Sequence, residues 1–175
     1  MKEYDPDMDQ LLFYLPLSGS AFKKTYYDGL LQRAVSKFVS SEDCVVNYMA
    51  SSLEDAVRIT HTTKIDANEL RKQQVSGFYR DIPITSGSVS TVDDIKEKID
   101  ELQGASDNLA SDDDEHVLLE MHVDADVPGF EDQSGIKLPY IISIDQYSTK
   151  ILSIKRNWFE ADQSRRRIDY FTHYK

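Results

Sequence analysis

The cleanest alternation of apolar and polar positions in the chain lies at 116–127. Val117, Leu119, Met121, Val123, Ala125 and Val127 fall on one side of an extended backbone, and His116, Leu118, Glu120, His122, Asp124 and Asp126 on the other. Successive strand side chains point to opposite faces, so the pattern predicts a half-buried strand with the apolar set in a core and the polar set mostly in water. Downstream, 140–144 and 151–158 are rich in β-branched and aromatic residues on either side of the polar stretch 145–150. A third such run, 168–174, follows the polar connection 160–167. The three read as strands of one meander. Upstream, 21–28, 35–39, 44–48 and 57–65 also read as strands. In the last of these, Val57, Ile59, His61, Thr63 and Ile65 share a face.

Helical signals are fewer. Asp5 before Pro6 suits an N-cap with a proline at the first helical position, which predicts a short helix ending near Ser18-Gly19. A strand is the alternative over 11–17, where the apolar run has no clear period. Asp66, with Glu69 three residues on, has the form of a capping box and opens a helix to about Ser76, with Gly77 just past its end. Val92, Ile95, Ile99 and Leu102 recur at helical spacing, after Ser90 or Thr91 as cap and before Gly104 as stop. The acidic stretch 105–115 reads as a mobile loop. Strands flank two or three short helices without regular βα alternation, so the expected class is α+β with mostly antiparallel sheets. The expected division is an α+β part at 1–90, a helix-plus-acidic-loop insertion at 91–115 and a strand meander at 116–175, or one compact domain overall.

Composition narrows the function classes. The 175 residues are 40% hydrophobic and 29% charged, which suits a soluble globular chain. No run approaches the roughly 18–20 apolar residues of a membrane span. The acidic start MKEYDPDMDQ does not read as a signal peptide. The single Cys44 has no partner for an internal disulfide, in keeping with a reducing compartment. The net charge of −11 is unevenly placed: −3 over 1–98, −12 over 99–136, where there is no Lys or Arg, and +4 over 137–175. A duplex-gripping protein carries a basic stripe, and this chain does not read as one.

Candidate chemistry is sparse. His116, Glu120, His122, Asp124 and Asp126 project from one strand face, and His122 with Glu120 or Asp124 offers N and O donors to a zinc or manganese ion. Residues two apart on a strand stand roughly 6.5–7 Å apart, so three donors from one strand converge poorly, and the same residues equally suit a wet strand face. Asp112, Asp113, Asp114, Asp124, Asp126, Glu131 and Asp132 are a possible calcium-collecting set, but they lack the EF-hand pattern. Cys44 and His61 could be imagined as a thiol–imidazole pair, but nothing in the sequence places them together. His61 also suits a buried structural histidine, and Ser18-Gly19-Ser20 a helix stop. Arg165, Arg166 and Arg167, with Lys155 and Arg156, form the one basic cluster, suited to phosphate, to an acidic stretch of a neighbouring subunit, or to a solvated turn. There is no P-loop, GxGxxG, HExxH, GxSxG or CxxC. The expectation from the residues is no catalytic site, no cofactor and no resident metal.

Four stretches also carry a resemblance. DQLLFYLPLSGSAFKKTYYD at 9–28, RITH…NELRKQQVSGFYRDI at 58–82, LLEMHVDADVPGFED at 118–132, and GIKLPYIISIDQYSTKILSIKRNW followed by DYFTHYK at the end resemble, in order and spacing, the portal proteins of short-tailed, podovirus-type bacteriophages. The resemblance implies a structural virion protein, assembled in the bacterial host cytoplasm. Such proteins form a ring, usually of twelve subunits, at one capsid vertex. The terminase motor pumps DNA into the capsid through the ring, the DNA later leaves through it, and tail proteins attach below. The chain is far shorter than a complete portal, which implies an internal, wing-like piece of one. The alternatives left open by the residues are a small metal-dependent enzyme using the His116 to Asp126 face, and a phage-derived protein-interaction domain.

Overall fold

The computed structural model describes residues 4–29, 31–84 and 115–175. The expected helix at 91–103 and almost all of the acidic loop at 105–115 lie outside them. Among the described residues there are two helices and eight strands in two antiparallel sheets, an α+β fold. A three-stranded sheet has the order β2-β1-β8, built from β1 (Ala21–Asp28), β2 (Arg33–Ser40) and β8 (Phe171–Tyr174). A five-stranded sheet has the order β3-β4-β5-β6-β7, from β3 (Cys44–Val46), β4 (Arg58–Asp66), β5 (Glu115–Ala125), β6 (Leu138–Asp145) and β7 (Ile151–Arg156).

Helix α1 (Tyr4–Ser18) takes the helical reading of the first apolar run rather than the strand. Asp5 and Asp7 sit in its first turn, where the amide dipoles favour negative charge. It ends where Gly19 adopts φ +68° and donates its N–H to Leu15 O at 2.9 Å. Leu11 is its one buried side chain, and Tyr14 stacks on Phe38 of β2 at 5.3 Å. The β1–β2 hairpin pairs Ala21 with Ser40 through to Asp28 with Arg33. Helix α2 (Ala67–Val75) has both ends closed. Asp66 accepts from Asn68 N at 3.0 Å. At the other end Gly77 N bonds Gln74 O and Phe78 N bonds Gln73 O, both at 3.0 Å, with Gly77 at φ +77°. That double bond pattern is a Schellman motif, and the positive φ is why glycine stands there. Glu69 does not reach back to the cap; it pairs with Lys72 one turn on.

Two expectations are corrected. The third run of the expected meander does not follow β7. β8 joins β1 in the other sheet, with Ala21 opposite Tyr174 and Lys24 opposite Phe171, and Thr25 N bonds Tyr170 O at 2.8 Å. The connection from Arg156 to Phe171 is too long for a hairpin, so nothing local holds β8 beside β7. Over 116–122 the face of β5 expected to be wet is the more buried one, with Glu120 half-buried, while Asp124 and Asp126 farther along the same face are exposed. His116, Leu118 and His122 are all buried, whereas Val117, Leu119, Met121, Val123 and Ala125 are only half-buried. Burial of His122 is offset by its bond to Glu120 on the same strand, whose carboxylate in turn accepts from Lys24 of β1.

The chain forms two compact units, one of 1–62, 120–141 and 155–175, the other of 63–119 and 142–154. The core of the first is Phe22, Val39, Cys44, Ala56, Ile59 and Phe171. The core of the second is Leu70, Leu118 and Leu152, with Ile65, Tyr79, Ile82 and Ile84 packed around it.

Candidate functional site

The titratable residues of β5 split between the two units. In the first unit Glu120 is the anion of a half-buried cluster. Its Oε1 accepts from Lys24 Nζ on β1 and lies against His122 Nε2, both at 2.7 Å. His122 is 2% exposed, with its ring edge-on to Tyr170 and Phe171 at 5.4 and 5.2 Å. His61 on β4 meets the same Phe171 ring at 5.9 Å. Burial pushes the Glu120 carboxyl up, but the His122 bond and the Lys24 charge outweigh it and hold the group well below the usual range. Burial, then the Lys24 charge, lower His61 to about 4, so it is neutral at pH 7. Burial also lowers the Lys155 ammonium, and burial followed by the Glu120 charge raises the Tyr170 phenol. One carboxylate thus organises two lysines and two imidazoles from four strands.

In the second unit His116 turns Nδ1 to Asp145 Oδ1 at 3.5 Å. Asp145, on β6, is fully buried, and its Oδ2 accepts from Ser148 N at 2.7 Å and Ser148 Oγ at 2.6 Å. Asp124 and Asp126 are exposed at the far end of the strand. Of the face expected to offer metal donors, Glu120 and His122 are engaged with each other and with Lys24. Among the described residues no three His, Cys, Asp or Glu side chains gather into a metal-holding group. Of the calcium-collecting set, Asp112, Asp113 and Asp114 lie outside the described residues. Asp132 is held by Ser134 and by Arg165 Nη1, the latter at 2.5 Å.

Cys44 and His61, which the sequence left apart, are direct cross-strand partners in the β3–β4 ladder. They are not an activated pair. Burial, then Asp43, pushes the Cys44 thiol up to about 11, while His61 stays neutral, so neither charge of a thiolate–imidazolium couple is present at neutral pH. Ser20 also gains a partner no local pattern foretold: its Oγ lies 2.8 Å from His173 Nε2, and the His173 ring stacks on Phe22 at 4.7 Å. This contact fastens β8 to the start of β1.

The basic cluster divides by role. Arg167 is structural: Nη1 donates to Ala56 O at 2.6 Å, Nη2 to Leu53 O at 2.9 Å and Glu54 O at 3.4 Å, and Nε to Asp169 at 3.1 Å. Arg165 pairs with Asp132, a member of the acidic stretch, inside its own unit. Arg156 reaches Glu160 at 3.5 Å, and Lys155 is half-buried. Arg166 is exposed. The chain matches no protein-family profile and no curated protein sequence.

Proposed function

We propose that this chain is a wing-like segment of a phage portal subunit, a structural part of the ring at the capsid vertex. The observation that carries the reading is the ordered likeness of four separate stretches, 9–28, 58–82, 118–132 and 135–158 with 169–175, to podovirus-type portal proteins. Those stretches contain α1 with β1, β4 with α2, β5, and β6 through β8, so the likeness covers most of the framework of both sheets. The surface supports an assembling role. Leu12, Phe13 and Leu17 of α1 are exposed, as are Tyr48 and Met49 in the loop that Arg167 pins, at 99% and 84%. Exposed apolar side chains on a pinned framework are what a partner subunit covers. In this reading terminase, capsid and tail proteins are the other partners, DNA passes through the ring without sequence-specific contact, and no chemistry is performed. The test is sedimentation of the chain at rising concentration. Weak, concentration-dependent self-association is expected; a strict monomer at the highest attainable concentration would count against the assembly role.

A further inference from the structure

The strand β8 is fastened through groups that titrate. Among the described residues it pairs with β1 alone, over four residues at the edge of its sheet. Its side-chain anchors are Phe171, His173 and the adjoining Tyr170. The buried Phe171 ring is met edge-on by His61 of β4 at 5.9 Å and by His122 of β5 at 5.2 Å, and Lys24 Nζ of β1 lies 5.6 Å from its centre. His122 also meets Tyr170, at 5.4 Å. His173 stacks on Phe22 at 4.7 Å, with its Nε2 2.8 Å from Ser20 Oγ. Three of the four histidines of the chain thus close on one short edge strand.

Below neutral pH the charge around Phe171 changes. His61 faces the ammoniums of Lys24 on β1 and Lys37 on β2, the His122 imidazole and the Glu120 carboxylate on β5, and the Cys44 thiol opposite it on β3. Lys155 of β7 and the Tyr170 phenol face the same carboxylate. Of these groups Glu120 alone is an anion, and Lys24 and His122 already share it. A proton on His61 adds a cation where cations outnumber the anion. Burial, then the Lys24 charge, keep that proton off the folded chain down to a pKa of about 4, and burial, then Lys175, oppose charging His173 as well. With β8 lifted, water reaches both imidazoles. That open state binds protons more readily than the closed one, so acidification shifts the balance toward it. We propose that β8 is an acid-released latch: as His61 and His173 take up protons it lifts from β1 and uncovers the β1 edge from Ala21 to Lys24. The release stops at Asp169. Upstream of it Ile168 N bonds Asn157 O at 3.0 Å and Arg167 donates to backbone carbonyls, which do not titrate. This device goes beyond the structural role proposed above and does not rest on it.

The experiment is amide hydrogen exchange of the 175-residue chain, read by NMR at pH 7 and pH 4.5, corrected for intrinsic exchange rates and repeated with small additions of urea. Expected is a fall of about tenfold or more in the protection of the β8 amides between the two pH values. That exchange should depend little on urea, the mark of a local opening rather than global unfolding. His61→Phe keeps a ring against Phe171 but takes no proton, so it should retain most of the protection at pH 4.5. Because this variant risks misfolding, the imidazole signals of wild-type His61 supply a second measurement, and they should titrate over the same pH range in which β8 loses protection. Protection of β8 that holds at pH 4.5, a fall with the steep urea dependence of global unfolding, a fall undiminished in His61→Phe, or a His61 titration separate from the β8 loss would overturn the inference.

Discussion

His61 shows how much a single buried imidazole contributes to pH behaviour. Its folded pKa of about 4 lies below the unfolded value near 6.5. The unfolded chain therefore binds this proton first as pH falls. Stability from His61 is fully present above about 6.5, declines between 6.5 and 4, and is gone below 4. At pH 5 the loss relative to pH 7 should be about 2 kcal/mol. Urea unfolding of wild type and His61→Phe at both pH values checks this: the variant should lose that part of the slope, and identical slopes would refute the assignment. Arg167 makes a different residue-scale case. Its guanidinium holds three carbonyls of the 53–56 loop, which a point-like ammonium cannot do in a fork. Arg167→Ala should cost about 2–3 kcal/mol and Arg167→Lys should recover less than half, whereas Arg166→Ala should stay within about 0.5 kcal/mol. Denaturant midpoints of the three variants decide it, and equal midpoints for Arg166→Ala and Arg167→Ala would refute the division of roles. Nothing in Arg165-Arg166-Arg167 as a string separates these roles, because the carbonyls that Arg167 holds lie more than a hundred positions away and the Asp132 that Arg165 meets lies 33 away.

At the scale of elements, local chemistry was legible and long-range pairing was not. Both ends of α2 can be read from Asp66 and Gly77, since a cap and a left-handed stop are encoded within a few residues of the bonds they make. Gly77→Ala isolates the second signal. No atom lies within 4 Å of the added methyl, so only backbone strain opposes it, and a loss of about 1 kcal/mol in thermal or urea unfolding is expected. A neutral result would mean that the helix end relaxes at no cost. The alternation of β5 was equally plain, yet over 116–122 it assigned the less buried face to the interior. Periodicity says that two faces differ; it does not say which polar residues will find partners. The half-buried Glu120 is held by Lys24, 96 residues away, and the buried His122 by Glu120 in turn. The placement of β8 failed for the same reason: Phe171 is drawn to the core with Phe22 and Ile59 by contacts that no neighbouring residue announces.

At the scale of the whole molecule the charge pattern decides how the chain should meet DNA. Residues 99–136 carry twelve carboxylates and no Lys or Arg, and the basic surplus of 137–175 is only +4. The structure reduces that surplus further as a free phosphate-binding surface. Arg167 is spent on loop carbonyls, Arg165 on Asp132, Arg156 on Glu160, and the Lys155 ammonium is half-buried. The pairing of Arg165 with Asp132 joins one carboxylate of the acidic stretch to the basic turn within the chain. Repulsion of phosphate by the acidic surplus fades only beyond roughly 8–10 Å at ordinary salt, so a duplex approaching this surface meets net repulsion at contact range. The expected outcome is no measurable duplex binding even at low salt, and self-association that rests on apolar side chains such as Leu12, Phe13 and Tyr48 and therefore persists as salt rises. The variant to compare is Arg165→Ala with Arg166→Ala, which spares the structural Arg167. A duplex-binding assay at low salt beside sedimentation at low and high salt gives both readouts. Tight DNA binding that this variant loses would replace the assembly reading with a DNA-gripping surface, and self-association abolished by moderate salt would return the subunit contact to the charges.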